Sequence, residues 1–420
     1  MTSHQQSILA TDLAPACETG DVEVIKEVMD RYFYQLHSAR SIFCVSDEKH
    51  EKPFLPESRD FLGKGHLHSL LASRRLLLMK NRGEGDNFEY TYTISFDTQF
   101  ASFLRRRFQG VPIFRQDEAL TECLRFLAPH RSGVGMESYL FENNERLDDP
   151  KVRETIEAYL QFKNTSEDAL NEGRIEAALT GSALSSAMDS IMAILKSSDW
   201  RGYAANAKQN CAVAYLMLLI AAAIHLTSRK RSATYRLGRF LEEIDGMMVF
   251  PKEEIHLVHT FFERGNQERF FRQIQANGKD FTEKLKNMAW DLSSSRTILQ
   301  NVSASARVKS DHADFIVPYF LTFDQPLQAL LAGFQANGLI TYLHEGAKSI
   351  VIYPMAVELT LAEGFQSSQH LLEPERKEAR LQRGREFFSS ESRREECIKH
   401  AEGILQTAIL QVANPQNRQS

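Results

Sequence analysis

Two stretches that read as β-strands each run into an aspartate and then a helix start, and they lie more than 200 residues apart in a chain of 420. The first is Phe88-Glu89-Tyr90-Thr91-Tyr92-Thr93-Ile94-Ser95-Phe96, rich in aromatic and β-branched residues, followed by Asp97-Thr98-Gln99. The second covers residues 315–323 and closes on Thr322-Phe323-Asp324-Gln325-Pro326. Apolar runs at 338–343 and 349–353 follow it, with a helical pattern over 326–334. Between the two zones, from Asp148-Asp149-Pro150 to about Asn301, the pattern is helical, with breaks expected near Thr180-Gly181, Gly202, Gly246 and Gly278. Strands that return to one sheet after so long an excursion imply an α/β core interrupted by a large, mainly helical insertion.

Composition limits what such a core can do. With 43% hydrophobic and 25% charged residues the chain buries a core and leaves little for disorder. Its net charge of −5 gives no bulk attraction for a phosphate backbone, so any nucleic-acid contact needs a local basic patch. Five dispersed cysteines, with no Cys-x-x-Cys pair, argue for a reducing cytoplasm and against a zinc or redox motif. No secretory signal is apparent over residues 1–15. Residues 209–228 carry no formal charge and have the length of a membrane span, but the ends are polar and the apolar centre is short, so a buried helix is expected and no membrane contact.

An aspartate at the carboxyl end of a strand is in the right place for chemistry in an α/β fold. Taken singly, Asp97 and Asp324 are also ordinary helix caps. Two further acids stand beside apolar residues in helical contexts: Glu142 in Tyr139-Leu140-Phe141-Glu142, and Asp291 in Met288-Ala289-Trp290-Asp291.

Together these residues resemble the acidic signature of PIN-domain nucleases: a first-strand aspartate followed by Thr, an internal Glu, a helical Asp, and a Thr-x-Asp closing a later strand. The resemblance covers roughly residues 86–145 and 280–345. It implies a PIN-like parallel-sheet core in which Asp97, Glu142, Asp291 and Asp324 bind magnesium or manganese and cleave phosphodiester bonds, usually in RNA. The sequence departs from the pattern at Gln99, where Asn is usual, and in the long separation of Asp97 from Asp324. Asp291 lies 33 residues before Asp324, so Asp311 or Asp314 are alternatives for the third role. A cation is also what the physics of converging acids asks for: two carboxylates about 4 Å apart repel by about 4 kcal/mol at an effective dielectric of about 20, so a cluster takes up protons or a metal. Oxygen-only ligation suits Mg²⁺ or Mn²⁺.

The domain scheme that follows has an N-terminal region of unassigned role (1–85), the two parts of the core (86–149 and 280–355), the helical insertion (150–279) and a helical C-terminal tail (356–420). Arg105, Arg106 and Arg107 are expected to hold substrate phosphates, although cations in a last helical turn also answer the helix dipole. Arg229-Lys230-Arg231 with Arg236 and Arg239 forms a second basic cluster. His256 and His259, three apart on a helix, lack a third ligand and read as ordinary helix residues. There is no phosphate-binding glycine loop and no Gly-x-Ser-x-Gly elbow. The competing reading is a non-catalytic, mainly helical interaction or regulatory protein whose aspartates only cap helices. On either reading the insertion offers a face for self-association or a protein partner.

Overall fold

The computed structural model describes residues 3–32, 36, 39–80, 83–84, 88–274, 280–305, 313–342 and 350–413. The chain is mixed α/β and forms two compact units: residues 1–208 with 294–354, and residues 209–293 with 355–420. Both sheets belong to the first unit. Its strands are β1 (Ala39–Cys44), β2 (Arg59–Phe61), β3 (Gly65–Ser69), β4 (Leu76–Lys80), β5 (Gly83–Glu84), β6 (Tyr90–Phe96), β7 (Val134–Gly135), β8 (Phe315–Thr322), β9 (Gly338–Tyr342) and β10 (Ile350–Ile352).

One sheet has the order β10-β9-β1-β4-β5 and every pair in it is antiparallel. The other runs β2-β3-β8-β6-β7, antiparallel up to β8 and parallel from β8 through β6 to β7. The parallel-sheet core expected from the sequence is therefore corrected to a mixed sheet with three parallel strands. Residues 1–85, to which the sequence assigns no role, supply β1 to β5 and so share both sheets with the later strands. Short strands such as Gly-His-Leu-His-Ser at β3 carry few β-forming residues, and it is the pairing with β8 that makes them strands.

β8 is central and apolar on both faces, as a strand covered from two sides should be. It nevertheless contains Pro318, which has no N–H to give. Leu70 N–H donates to the Pro318 carbonyl at 3.0 Å, and the Leu70 carbonyl is satisfied instead by Ala336 N–H at 2.9 Å, so no acceptor is stranded. At the other end of β3, Gly65 lies flat against the Phe323 ring, where a Cβ would come within 2.6 Å. Phe323 stacks on Phe100 at 5.8 Å, and Phe100 meets Phe96 at 5.2 Å. Aromatic pairs of this kind contribute about 0.5–1.5 kcal/mol each beyond their burial. They fix the helix Thr98–Phe108 over the ends of β6 and β8.

In the second unit the residues of the apolar stretch form part of one helix, Ser198–Thr227, which runs unbroken through Gly202. A single glycine costs a helix about 1 kcal/mol, too little to end one that is otherwise well packed. Of its most apolar window 89% is buried inside the protein. Gly278 lies outside the described residues. A buried ion pair holds this unit together: Arg380 on the helix Pro374–Ser389 donates to Asp245 at 2.5 Å and to the Leu371 carbonyl at 3.1 Å. Arg376 and Arg383 approach the same carboxylate at 3.8 and 3.4 Å.

Candidate functional site

The register that sets Phe96 beside Leu321 brings Asp97 and Asp324 to the same end of the parallel pair. From β6 the chain crosses to β7 on one side, and it later returns as β8 on the other. Ligands in open α/β sheets collect at such a reversal, outside the carboxyl ends of the strands.

Asp97 is 7% exposed. Its Oδ1 accepts the Phe100 N–H at 2.7 Å and closes the N-terminus of the helix Thr98–Phe108. Its Oδ2 accepts the Thr322 hydroxyl at 2.6 Å and the Phe323 N–H at 3.2 Å. The Thr322 hydroxyl oxygen in turn accepts the Asp324 N–H at 3.0 Å, and Asp324 Oδ1 caps the helix Gln325–Leu331 through Leu327 N–H at 2.8 Å. Burial pushes the Asp97 carboxyl up to about 6; its three hydrogen bonds pull the other way, and the charge of Asp324 adds to the rise. Asp324 is raised as well, again by burial. A coupled, partly desolvated acid pair at a strand-end reversal is the arrangement expected of a functional site. Both acids are helix caps too, as the simpler reading of each residue holds.

Glu142 accepts a hydrogen bond from the Thr98 hydroxyl, which ties the third acid to the residue after Asp97. Burial raises its carboxyl. Asp291 lies on the helix Phe281–Ser305 within the second unit. Asp314 is at the wrong end of β8: its N–H donates to the Glu89 carbonyl, its carboxylate faces Arg40 at 3.7 Å, and the eight residues of β8 separate it from the acid pair by about 25 Å at roughly 3.3 Å per residue. Asp311 is outside the described residues. Among the described residues no group of three or more His, Cys, Asp or Glu side chains is arranged to hold a metal ion. The structure thus brings Asp97 and Asp324 together at one end of the sheet, with Glu142 joined through Thr98.

The three arginines each have local partners. Arg105 donates to the Lys151 carbonyl at 3.4 Å, Arg106 to the Pro112 carbonyl, and Arg107 to the Asp117 carboxylate at 2.9 Å. They occupy the last turn of the helix whose first turn Asp97 caps. In the second cluster Arg236 is buried on Phe262 and donates to its carbonyl, while Arg239 faces Glu242 and Glu243. His256 and His259 reach Thr360 at 2.6 Å and Glu363 at 3.5 Å, both on the helix Met355–Gln366.

Residues other than the acids also line this end of the sheet. Thr322 opens Thr-x-Asp, and its hydroxyl joins the two acids. Ser95 precedes Asp97 by two, hence on the same face, and donates to Glu137 at 3.5 Å. His66 on β3 is directly opposite Thr322. The signal that could have found them is the two-residue period of Ser95-x-Asp97 and His66-x-His68.

Comparison of the chain with protein-family models, with curated proteins and with solved structures finds no match.

Proposed function

We propose that the first unit is a metal-assisted hydrolase of phosphodiester bonds, acting on RNA in the cytoplasm, with a PIN-like arrangement of β7, β6 and β8. The observation that carries this reading is the coupling of Asp97 to Asp324 through Thr322 at the carboxyl ends of adjacent parallel strands. A closed cage of acids is not what Mg²⁺ requires: it is usually held by one or two carboxylates together with water and substrate phosphate. Asp324 Oδ2 and Glu142 Oε1 accept no hydrogen bond among the described residues, whereas both Asp97 oxygens are engaged. Asp324 and Glu142 would therefore hold Mg²⁺ or Mn²⁺, and Asp97 is a positioning residue that fixes Thr322 and the start of the helix behind them. When bound, the ion neutralises phosphate charge and makes a water molecule more acidic. The chain's own part is to aim the carboxylates, keep one end of the sheet dry with Phe100 and Phe323, and hold substrate through Arg105, Arg106 and Arg107.

The test combines thermal unfolding with a cleavage assay. Mg²⁺ or Mn²⁺ should raise the melting temperature of the wild type, because the folded state alone binds it. The rise should vanish in Asp324→Asn with Glu142→Gln, together with cleavage of a labelled single-stranded RNA. An unchanged metal response in the double variant would remove the site. The second reading, a non-catalytic interaction protein, is favoured by a different observation: the helix Gly181–Leu195 carries one charge in fifteen residues, yet leaves Ile194 60% exposed. It predicts no RNA cleavage and a partner or second copy on that helix.

A further inference from the structure

His66 shares a rung with the acid pair. In the β3–β8 register it stands opposite Thr322, and side chains so placed begin about 5 Å apart on one face of the sheet. Thr322 holds Asp97 by its hydroxyl, so β3, β8 and β6 present His66, Thr322 and Asp97 in a row. The row continues outward, because Asp60 on β2 pairs with His66 in register and its Oδ1 lies 3.8 Å from His66 Nδ1. Two restraints set the ring. It lies against His68 with centroids 4.0 Å apart and the ring planes tilted by 34°, and His68 is buried. The β2–β3 turn is tied to the helix that Asp324 caps, through Gln325 to the Gly63 carbonyl and Gln328 to the Lys64 carbonyl at 3.1 Å. His66 itself is half-buried, so solvent and a substrate can reach it.

We propose that His66, oriented by Asp60, is the proton acceptor of this site. The inference rests on the phosphodiester-hydrolase reading given above. With Nδ1–H directed at the Asp60 carboxylate, Nε2 carries the free lone pair. The oxygen of a water molecule forms the new bond to phosphorus and its proton passes to Nε2. The bond from phosphorus to the leaving oxygen breaks with its electron pair, that oxygen takes a proton from solvent, and His66 returns its own proton to solvent before the next turnover.

The titratable groups that act on His66 are Asp60 from β2 and His68 on its own strand. Burial lowers the imidazole below its usual value, and the Asp60 charge opposes that. The ring is therefore neutral and able to accept a proton at pH 7. Asp97, pushed up to about 6 by burial, also changes charge within the pH range measured, so the Asp60 effect is what assigns the limb to His66.

The experiment measures kcat and KM for cleavage of a 5′-labelled single-stranded RNA with Mg²⁺ between pH 5 and 8, for wild type, His66→Gln and Asp60→Asn. General-base removal costs about 10²- to 10⁴-fold, so His66→Gln should lower kcat by that order with KM within a few-fold and should erase the acidic limb. Asp60→Asn, at an exposed carboxylate, should move the acidic limb to lower pH, since it removes the charge that holds the His66 pKa up. Full activity in His66→Gln, or an unmoved limb in Asp60→Asn, overturns the proposal and leaves the hydrolase reading intact. A wild type that cleaves no RNA while still binding Mg²⁺ overturns both.

Discussion

Thr322 gives its hydroxyl proton to Asp97 Oδ2 at 2.6 Å and takes the Asp324 N–H on the same oxygen at 3.0 Å, so one fully buried threonine joins residues 225 positions apart in sequence to the next acid along the chain. The three residues form a donor chain with a direction: Asp324 to Thr322 to Asp97. Removing any link strands a buried partner, and each loss is measurable.

Replacing Thr322 with Val keeps the shape and deletes the hydroxyl. Asp97 Oδ2 would retain only the Phe323 N–H, and the Asp324 N–H would have no acceptor. A buried polar group left unpaired costs about 1–3 kcal/mol. Thr322→Val should therefore lower the urea midpoint by a corresponding amount, and Thr322→Ser should recover most of it.

Asp97 should make stability depend on pH in an uncommon sense. Its folded pKa is raised to about 6 from 3.8, so between these values the native state binds more protons than the unfolded state. Stability then falls as pH rises through that window, by up to about 3 kcal/mol at roughly 1.4 kcal/mol per unit. Asp97→Asn removes this contribution. Unfolding free energies at pH 4.5 and 7 for the two proteins should differ in slope, the wild type losing more on going to neutral pH.

Replacing Arg105, Arg106 and Arg107 together by Gln should weaken RNA binding and flatten its salt dependence, because every phosphate no longer neutralised by an arginine reduces the slope by about 0.7 for a single strand. The carbonyl and carboxylate partners of these arginines add a stability loss of about 1–2 kcal/mol. Equal salt slopes in a filter-binding titration would assign all three to closing the helix.

In the second unit Asp245→Ala should be severe. Arg380 would stay buried against Phe250 with Arg376 and Arg383 nearby and their shared carboxylate gone. Removing one partner of a buried ion pair costs about 3–5 kcal/mol. Thermal unfolding of Asp245→Ala and of Arg380→Met should show the larger drop for the aspartate, since Arg380→Met removes a cation from a cluster that holds three.

The strands that carry the acids were legible because β6 and β8 are long for strands, aromatic and β-branched, and end in a cap residue with a helix behind it. That they are neighbours followed from the need to rejoin one sheet; that they run parallel was implied only by the family resemblance. The strands of residues 39–84 were not legible as a group, because β2 and β3 are three and five residues long, β3 taking its conformation from β8 and β2 from β3. Asp97 and Asp324 were found by position. Ser95 and His66, and the role of the Thr322 hydroxyl, were not, because what unites them is register across strands far apart in sequence, which the two-residue period within each strand does not fix. Asp314 shows the same limit from the other side: it is close to Asp324 along the chain and a whole strand away in space.

The 225 residues between Asp97 and Thr322 also set an order of events during synthesis. At roughly 5–20 residues per second, β6 is complete about 10 to 45 s before the ribosome has made its partner β8. Through that interval β6 can pair with β7, but its other edge has no strand to meet. Such an edge is an open template for another chain. The end of the sheet that holds the acid pair is thus finished late in translation, and the exposure of β6 before then is where this protein is most open to mispairing.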